Sequence, residues 1–230
     1  MFLSRRSLQA EYFDSERPVA ELTEFFRSLN RMNRLFRFAQ PFQSLVPSLL
    51  GENNCVALSV LDVGAGDGSL GQVLAKWAGA RGWRWQVTNL DISARSGAMN
   101  GNGRNIAGSA LRLPFRAASF DLVIASQMIH HLSDVEVQQM LREAWRVTRK
   151  AILFCDLHRN SILYFTLWLI FLFQSHPEPF RADALLSVKK SWKTGELRRL
   201  VLASGVAGAE VRRYFGARIV VQGTKTRLKE

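Results

Sequence analysis

Three glycines alternate directly behind an apolar run that ends in a carboxylate. Asp62 closes the run, and Gly64, Gly66 and Gly68 follow at every second position before a segment typical of a helix. Glycine is needed where the backbone must turn tightly or approach a ligand without a Cβ in the way. The start of the helix beyond adds unpaired N–H groups and a partial positive charge. The spacing therefore predicts a strand, a tight loop and a helix that together hold a nucleoside-like cofactor.

Two kinds of cofactor fit such a loop. Gly66, Gly68 and Gly71 have the spacing G-x-G-x-x-G of dinucleotide-binding proteins, and Asp91 follows about twenty residues later. The position of Asp62 favours the other kind, because a carboxylate at the strand end attracts a cation and repels a pyrophosphate. S-adenosylmethionine carries an ammonium and a sulfonium, whereas NAD carries two phosphates. We therefore predict S-adenosylmethionine as the cofactor.

Three ordered motifs extend this interpretation to a family. They are Asp62-Val63-Gly64-Ala65-Gly66-Asp67-Gly68, Leu113-Pro114-Phe115 with Ser119-Phe120-Asp121-Leu122-Val123, and His130-His131-Leu132. As a set they resemble the class I S-adenosylmethionine-dependent methyltransferases, in the type 11 branch of ubiquinone and menaquinone C-methyltransferases and many small-molecule O-methyltransferases. The resemblance covers roughly residues 56 to 156. It implies O- or C-methylation of a small hydrophobic substrate, of phenolic, quinone-like or polyketide type.

The resemblance also assigns cofactor contacts to particular residues. Asp62 is expected near the ammonium, Gly64 and Gly66 beside the methionine moiety, and Asp91 on the ribose hydroxyls, since a carboxylate accepts two hydrogen bonds. Ser109 stands where many relatives carry Asp, so we expect a weaker bond to the adenine amino group and a lower affinity. The rest of the predicted set is Ala65, Gly68, Ile92 on the adenine face, Ala110, Leu111 and Ser126.

The catalytic group is less well defined by the sequence. Displacement at a sulfonium methyl needs positioning first and, for an oxygen nucleophile, sometimes a base. His130, His131 and His158 follow the fourth and fifth predicted strands and are the candidate bases, since histidine titrates near neutral pH. At most one of the adjacent pair can face the cleft. No metal is predicted, because Cys55 and Cys155 have no metal-ligand spacing.

Strands and helices alternate along the chain in the order expected for a doubly wound α/β fold. We predict a Rossmann-like, mostly parallel seven-stranded sheet that ends in a C-terminal antiparallel hairpin. Residues 1–50 form an N-terminal helical cap, and residues 51–230 form the methyltransferase domain. One or two amphipathic helices over residues 19–50 pack on the sheet edge or cover the cleft, and Asn30 and Asn33 are the candidates to face it.

An uncharged apolar segment follows the fifth predicted strand. It covers residues 161–173, within an insertion that reaches to about residue 180. As a helix, its dozen apolar residues span roughly 18 Å, less than the ~30 Å of a bilayer core. Three interpretations stay open: a buried core helix, a wall of the substrate pocket, or a patch that dips into one leaflet. The position after the fifth strand favours the pocket wall.

Basic residues concentrate in the last part of the chain. The net charge is +12, and residues 181–230 hold twelve Lys and Arg against four Asp and Glu. Lys189, Lys190, Lys193 and the arginines after them could form one face toward nucleic acid, anionic lipid or an acidic substrate. A solvated basic surface explains the charge equally well. Peripheral contact with an anionic membrane is therefore one expected partnership, for a protein otherwise expected in the reducing cytoplasm.

Two other functions compete with small-molecule methylation. The basic charge suits a nucleic-acid methyltransferase, but Ser126-Gln127-Met128-Ile129 stands where amino-N methylators carry Asn or Asp, two prolines and an aromatic residue. A non-catalytic assembly factor that binds the cofactor is the second alternative, because no catalytic group is assigned. An oxidoreductase fits the sequence least, and the oligomeric state stays open.

Overall fold

A computed structural model describes residues 3–93 and 104–225 of the protein. Its strands are Ala57–Val63 (β1), Arg84–Asp91 (β2), Arg104–Ala107 (β3), Phe120–Ser126 (β4), Thr148–Leu157 (β5), Glu210–Tyr214 (β6) and Arg218–Thr224 (β7). They form one sheet of order β3-β2-β1-β4-β5-β7-β6. Strands β1 to β5 pair in parallel, whereas β7 lies antiparallel to both β5 and β6. The predicted Rossmann-like sheet with its C-terminal hairpin is confirmed.

Seven α-helices within the described residues accompany the sheet. They are Val19–Leu35 (α1), Gln40–Leu50 (α2), Ser69–Gly79 (α3), Asp134–Val147 (α4), Ser161–Phe173 (α5), Glu178–Lys190 (α6) and Thr194–Ala203 (α7). Helices α4 and α7 cover one face of the sheet, where they pack on Leu61 and Val63 of β1. Helices α2 and α3 cover the other face, against Leu58 and Val60. Because both faces are buried, β1 is nearly continuous in apolar residues.

The helix α6 is absent from the sequence prediction. Pro177 and Pro179 suggest a break in the chain, yet Pro177 is the N-cap of this helix and Pro179 lies in its first turn. Proline is compatible with the first helical turn, because an N–H there has no acceptor within the helix. Pro177 and Pro179, which argue against a continuous helix through this segment, therefore begin α6.

Residues 3–17 run as an N-terminal strap over α6 and the loop that follows β4. Arg6 donates to the carbonyl oxygen of Leu132 at 2.7 Å. The carboxylate of Asp183 on α6 accepts hydrogen bonds from the backbone N–H groups of Tyr12 and Phe13, at 2.8 and 3.0 Å. The strap is thus held by residues more than a hundred positions away in sequence.

The apolar helix α5 is buried on one side only. Leu163, Leu167 and Phe171 pack with Met32 and with the α6 residue Phe180 in a third apolar cluster. On the opposite side, Phe173 is 82% exposed and Ile162 is 81% exposed. The interpretation of residues 161–173 as a fully buried core helix is therefore wrong.

Candidate active site

The glycine loop lies at the carboxyl edge of the sheet, where β1 ends. Gly64, Gly66 and Gly68 have φ values of 70°, 55° and 76°, a region that residues with a Cβ rarely adopt. A Cβ at Gly64 would clash with Met128, and one at Gly66 would lie 2.8 Å from Cε1 of Phe26. Gly64 and Gly66 are therefore required both by the backbone conformation of the turn and by the side chains that pack close to it.

Asp62 is a buried carboxylate without a compensating cation. It is 1% exposed, and its Oδ2 has no hydrogen-bond partner within the described residues. Burial, together with the nearby carboxylates of Asp91 and Asp67, raises the pKa of Asp62 to about 8. A buried carboxylate with no donor is costly, and a cationic ligand would relieve that cost. The ionised Asp62 carboxylate therefore fits a cationic ligand such as S-adenosylmethionine, which carries an ammonium and a sulfonium.

Asp91 connects the end of β2 to the glycine loop. Its Oδ2 accepts a hydrogen bond from the backbone N–H of Gly66 at 2.8 Å, and its Oδ1 accepts one from Ser93 at 2.9 Å. Each carboxylate oxygen keeps a second lone pair for a ligand hydroxyl. Asp91 thus shapes the loop as well as offering acceptors toward the cavity.

The predicted cofactor residues surround one large cavity of about 1330 Å³. Ten of the eleven line it, and Gly68 does not, because it serves as the N-cap of α3. The hydroxyl of Ser109 accepts a local hydrogen bond from the backbone N–H of Leu111 at 3.2 Å. Ligand pockets are typically about 300–1,000 Å³, so this cavity has room for a cofactor and a second molecule.

The N-terminal residues form the opposite wall of this cavity. Asn30 on α1 donates to the Asp67 carboxylate at 2.7 Å, and Asn33 accepts from the Gln127 side chain at 2.8 Å. Both asparagines line the cavity, as the sequence analysis expected of them. The strap residues Phe13 and Asp14 also line the cavity, and no motif or spacing in the sequence points to them.

The structure separates the three candidate histidines. His130 is buried, and its Nδ1 lies 2.7 Å from Oδ1 of Asp156. Burial raises the pKa of Asp156, but attraction to His130 and several hydrogen bonds outweigh it and lower that pKa overall. His158 is also buried, and neither His130 nor His158 lines the large cavity. Both are therefore removed from the position that a base would need.

His131 alone of these three lines the cavity. Its Nδ1 lies 2.8 Å from Oδ1 of Asp14, and its side chain is one-third exposed. Burial opposes ionisation of Asp14, but hydrogen bonds from His131 and the backbone of Glu11 lower its pKa well below the usual value. Lys190 completes the group with contacts of 3.1 Å to Asp14 and 3.3 Å to Glu11. An ionised strap carboxylate thus orients the one histidine at the cavity.

The same cluster has a donor arrangement that a metal ion could use. Ligand atoms of Glu11, His130 and His131 lie within 4.8 Å of one another. Two of the potential ligands already have other partners, since Nδ1 of His130 contacts Asp156 and the Lys190 ammonium contacts Glu11. We assign no metal to the cluster, because a cation of the protein already balances its carboxylates.

Two basic residues of the C-terminal region are buried rather than exposed to solvent. Lys190 is 5% exposed and ion-paired, and Arg218 is 3% exposed, beside the ring of Phe38. The expectation that Lys190 belongs to a solvent-facing basic patch is therefore wrong. The charge of Lys190 is paired inside the protein, so part of the net positive charge does not contribute to a surface for an anionic partner.

Comparisons with known proteins agree with this geometry. Residues 61–155 match the model of a family described as a methyltransferase domain. No curated protein matches the chain. The matched residues run from β1 through the glycine loop to β5 and so contain all eleven predicted cofactor residues.

Solved structures share the fold at low sequence identity. An S-adenosylmethionine-dependent methyltransferase from Aquifex aeolicus is 17% identical, with a TM-score of 0.60 over 92% of this chain and 100% of the other. A plantazolicin methyltransferase in complex with S-adenosylhomocysteine is 12% identical, with a TM-score of 0.66 over 90% of each chain. The magnesium protoporphyrin IX methyltransferase from Synechocystis is 16% identical, with a TM-score of 0.56 over 86% and 87%.

The sheet order and the glycine loop define a class I S-adenosylmethionine-dependent methyltransferase fold. The match to the methyltransferase-domain family covers residues 61–155, the stretch that contains all three motifs. Among the described residues, no helix is both long and apolar enough to cross a bilayer.

Proposed function

We propose that the protein methylates a small hydrophobic molecule, of phenolic, quinone-like or polyketide type, with S-adenosylmethionine held at the glycine loop. The observation that carries this proposal is the large cavity itself. Its lining combines the buried Asp62, whose Oδ2 has no partner in the described residues, and the turn from Gly64 to Gly66 with the aromatic side chains of Phe13, Phe25 and Phe38. A cationic cofactor and an apolar acceptor thus both find complementary groups in one space.

The cofactor end is built from the edge of the sheet. Asp62 faces the ammonium, the Gly64 and Gly66 backbone borders the methionine moiety, and Asp91 accepts from the ribose. When bound, S-adenosylmethionine supplies an electrophilic methyl group on a sulfonium. Ser109 keeps its place beside the adenine edge with an uncharged oxygen, which already accepts from Leu111. The affinity is therefore lower than with a carboxylate at this position.

The substrate end is apolar and aromatic. Phe13, Phe25 and Phe38 line the cavity opposite the glycine loop. A side pocket of about 70 Å³ opens from the same region between α1 and α5, and Leu163 and Leu167 form part of its wall. Pockets of this composition bind apolar ligands through burial and use a few polar groups for orientation. The inner face of α5 thereby contributes to a pocket wall.

His131 is the group that takes the acceptor's proton. Nδ1 of its ring lies 2.8 Å from Asp14 and 3.4 Å from the Lys190 ammonium, so we assign the proton transfer to Nε2, which lies 4.0 Å from Oε2 of Glu11. Loss of this proton would make the acceptor oxygen the nucleophile for the methyl group that the cofactor, held by Asp62, the Gly66 backbone and Asp91, would supply. Base catalysis of this kind contributes roughly 10²–10⁴-fold to a rate.

The pH dependence of cofactor binding tests the cofactor end. The pKa of Asp62 is about 8 without a ligand, so a cation that needs the ionised carboxylate must displace a proton at lower pH. We expect the affinity for S-adenosylhomocysteine, which has the same ammonium, to rise between pH 6 and 8, up to about tenfold per pH unit. Calorimetric titration in buffers of different ionisation enthalpy measures both the affinity and the released proton.

Asp62→Asn is the matched control, because it keeps the side-chain shape and removes the titration. Its binding should be weaker and nearly independent of pH. The free wild-type protein should lose stability as pH rises toward 8, since the folded state holds the Asp62 proton more tightly than the unfolded state. Tight binding of NADH, with none of S-adenosylhomocysteine, would refute the cofactor assignment.

The substrate class is tested by following the transferred methyl group. With tritiated cofactor, we expect label in the organic extract after incubation with phenolic and quinone-like lipids, and none in RNA. The apolar wall of Phe13, Phe25 and Phe38 is the reason, since burial against it favours an apolar acceptor. Label that appears only in RNA would overturn the proposal in favour of nucleic-acid methylation. Cofactor binding without label in either acceptor would favour the non-catalytic alternative.

A further inference from the structure

The outer face of α5 is an apolar surface that is exposed in the described chain. Sixteen large apolar residues of the described chain are exposed, and six of them lie on this helix of 13 residues. They are Ile162, Phe165, Trp168, Leu169, Leu172 and Phe173. Single exposed apolar side chains are ordinary, but a contiguous group of this kind marks an interaction site.

The inner face explains why this helix stays in place without covering its outer face. Leu163, Leu167 and Phe171 recur at four-residue spacing and are 6–7% exposed in the cluster with α1 and α6. Asn160 caps the helix through a 2.9 Å hydrogen bond from the Leu163 N–H. The helix is therefore anchored through one stripe, and substitutions on its outer face leave that stripe intact.

A cation stands beside the apolar face. Lys189 lies 5.3 Å from the ring centre of Tyr164, in the first turn of α5, and the Tyr164 ring lies 5.7 Å from that of Phe165 on the outer face. The helix itself has no charged residue. This is an apolar strip with a positive charge beside its first turn.

A lipid surface matches this combination in depth as well as in charge. A helix of 13 residues is about 20 Å long, too short to cross the ~30 Å core of a bilayer but suited to lie in its interface. Basic residues beside such a helix attract anionic headgroups. The inner face of the same helix borders the apolar side pocket through Leu163 and Leu167. A molecule dissolved in lipid would thus meet the protein at the helix that also walls this pocket.

We propose that the outer face of α5 is a docking surface for an anionic lipid bilayer. Aromatic and aliphatic side chains of α5 enter the acyl boundary, and Lys189 contacts headgroup phosphates. The helix lies in the interface of the bilayer and does not cross it. The proposal goes beyond the methylation reaction, because docking needs neither cofactor nor substrate.

Vesicle flotation of the full chain, without cofactor, tests the proposal. We expect the protein to float with vesicles of phosphatidylcholine and phosphatidylglycerol, less with phosphatidylcholine alone, and less again in high salt. The variant Phe165→Ser/Leu169→Ser/Phe173→Ser should reduce the partition coefficient about tenfold or more, because it removes apolar area from the lipid contact. Lys189→Gln should reduce partition to anionic vesicles by about fivefold.

The matched control replaces three exposed apolar residues elsewhere, in Val135→Ser/Leu202→Ser/Phe215→Ser. It should float as the wild type does, and circular dichroism should give both triple variants a wild-type melting temperature. Equal flotation of the two triple variants would overturn the proposal. Absence of wild-type flotation would overturn it too. If the wild type is then a dimer that the α5 substitutions dissociate, the outer face of α5 binds a second copy of the chain instead of lipid. Cofactor titration and methyl transfer to soluble phenols stay readable in every case, so failure here is distinct from failure of the proposed function.

Discussion

Replacement of Asp91 by alanine is expected to reduce affinity for S-adenosylhomocysteine by roughly 100-fold or more. The carboxylate accepts from the backbone N–H groups of Gly66 and Ser93, at 2.8 and 2.9 Å, and we propose that it also accepts from the ribose. Hydrogen bonds to a charged group contribute about 1.5–3 kcal/mol each, and two of them account for such a loss. Calorimetric titration measures the affinity.

Asp91→Asn is the matched control for this substitution. It keeps one oxygen acceptor and loses the charge, so its affinity should fall between those of the wild type and Asp91→Ala. Melting temperatures without ligand separate loss of a ligand contact from loss of the loop. If Asp91→Ala binds the cofactor within a factor of two of wild type, Asp91 has only the structural role of holding Gly66.

The sheet and the cofactor edge of the cavity could be predicted from sequence because their signals are local. The alternation of strand-like and helix-like segments predicts the parallel sheet and its C-terminal hairpin. The place of Asp62 relative to Gly64 argues for a cation before any contact is known, and the buried, unpaired Oδ2 agrees with that argument. Such features depend on residues within about ten positions of one another, so they can be recognised in a single sequence.

The part of the opposite wall that the strap forms could not be predicted in this way. The strap reaches it through contacts across more than a hundred positions, such as Arg6 with Leu132 and Tyr12 with Asp183. Lys190 belongs to a basic run in sequence, yet its ammonium is buried against Glu11 and Asp14. Pairing of distant charges has no periodicity to reveal it.

The two sides of α5 show a related limit. Its residues are apolar all round, so the pattern cannot tell Phe171, which is buried, from Phe173, which is exposed. Only the packing of α1 and α6 against one stripe decides between them. The adjacent histidines also differ because of tertiary contacts. His130 is buried beside Asp156, whereas His131 lies at the cavity beside Asp14.

Replacement of His131 by alanine is expected to reduce kcat by roughly 10²–10⁴-fold while KM for the acceptor changes little. Asp14 orients the ring of His131 at the cavity, and we propose that its Nε2 accepts the hydroxyl proton. Steady-state kinetics with a phenolic acceptor measure the loss, and added imidazole should restore part of the rate in His131→Ala. His130→Gln provides the contrast: it should lower the melting temperature, because buried Asp156 loses its partner, and should leave kcat closer to wild type. An unchanged kcat in His131→Ala would remove the base and leave a reaction driven by positioning alone.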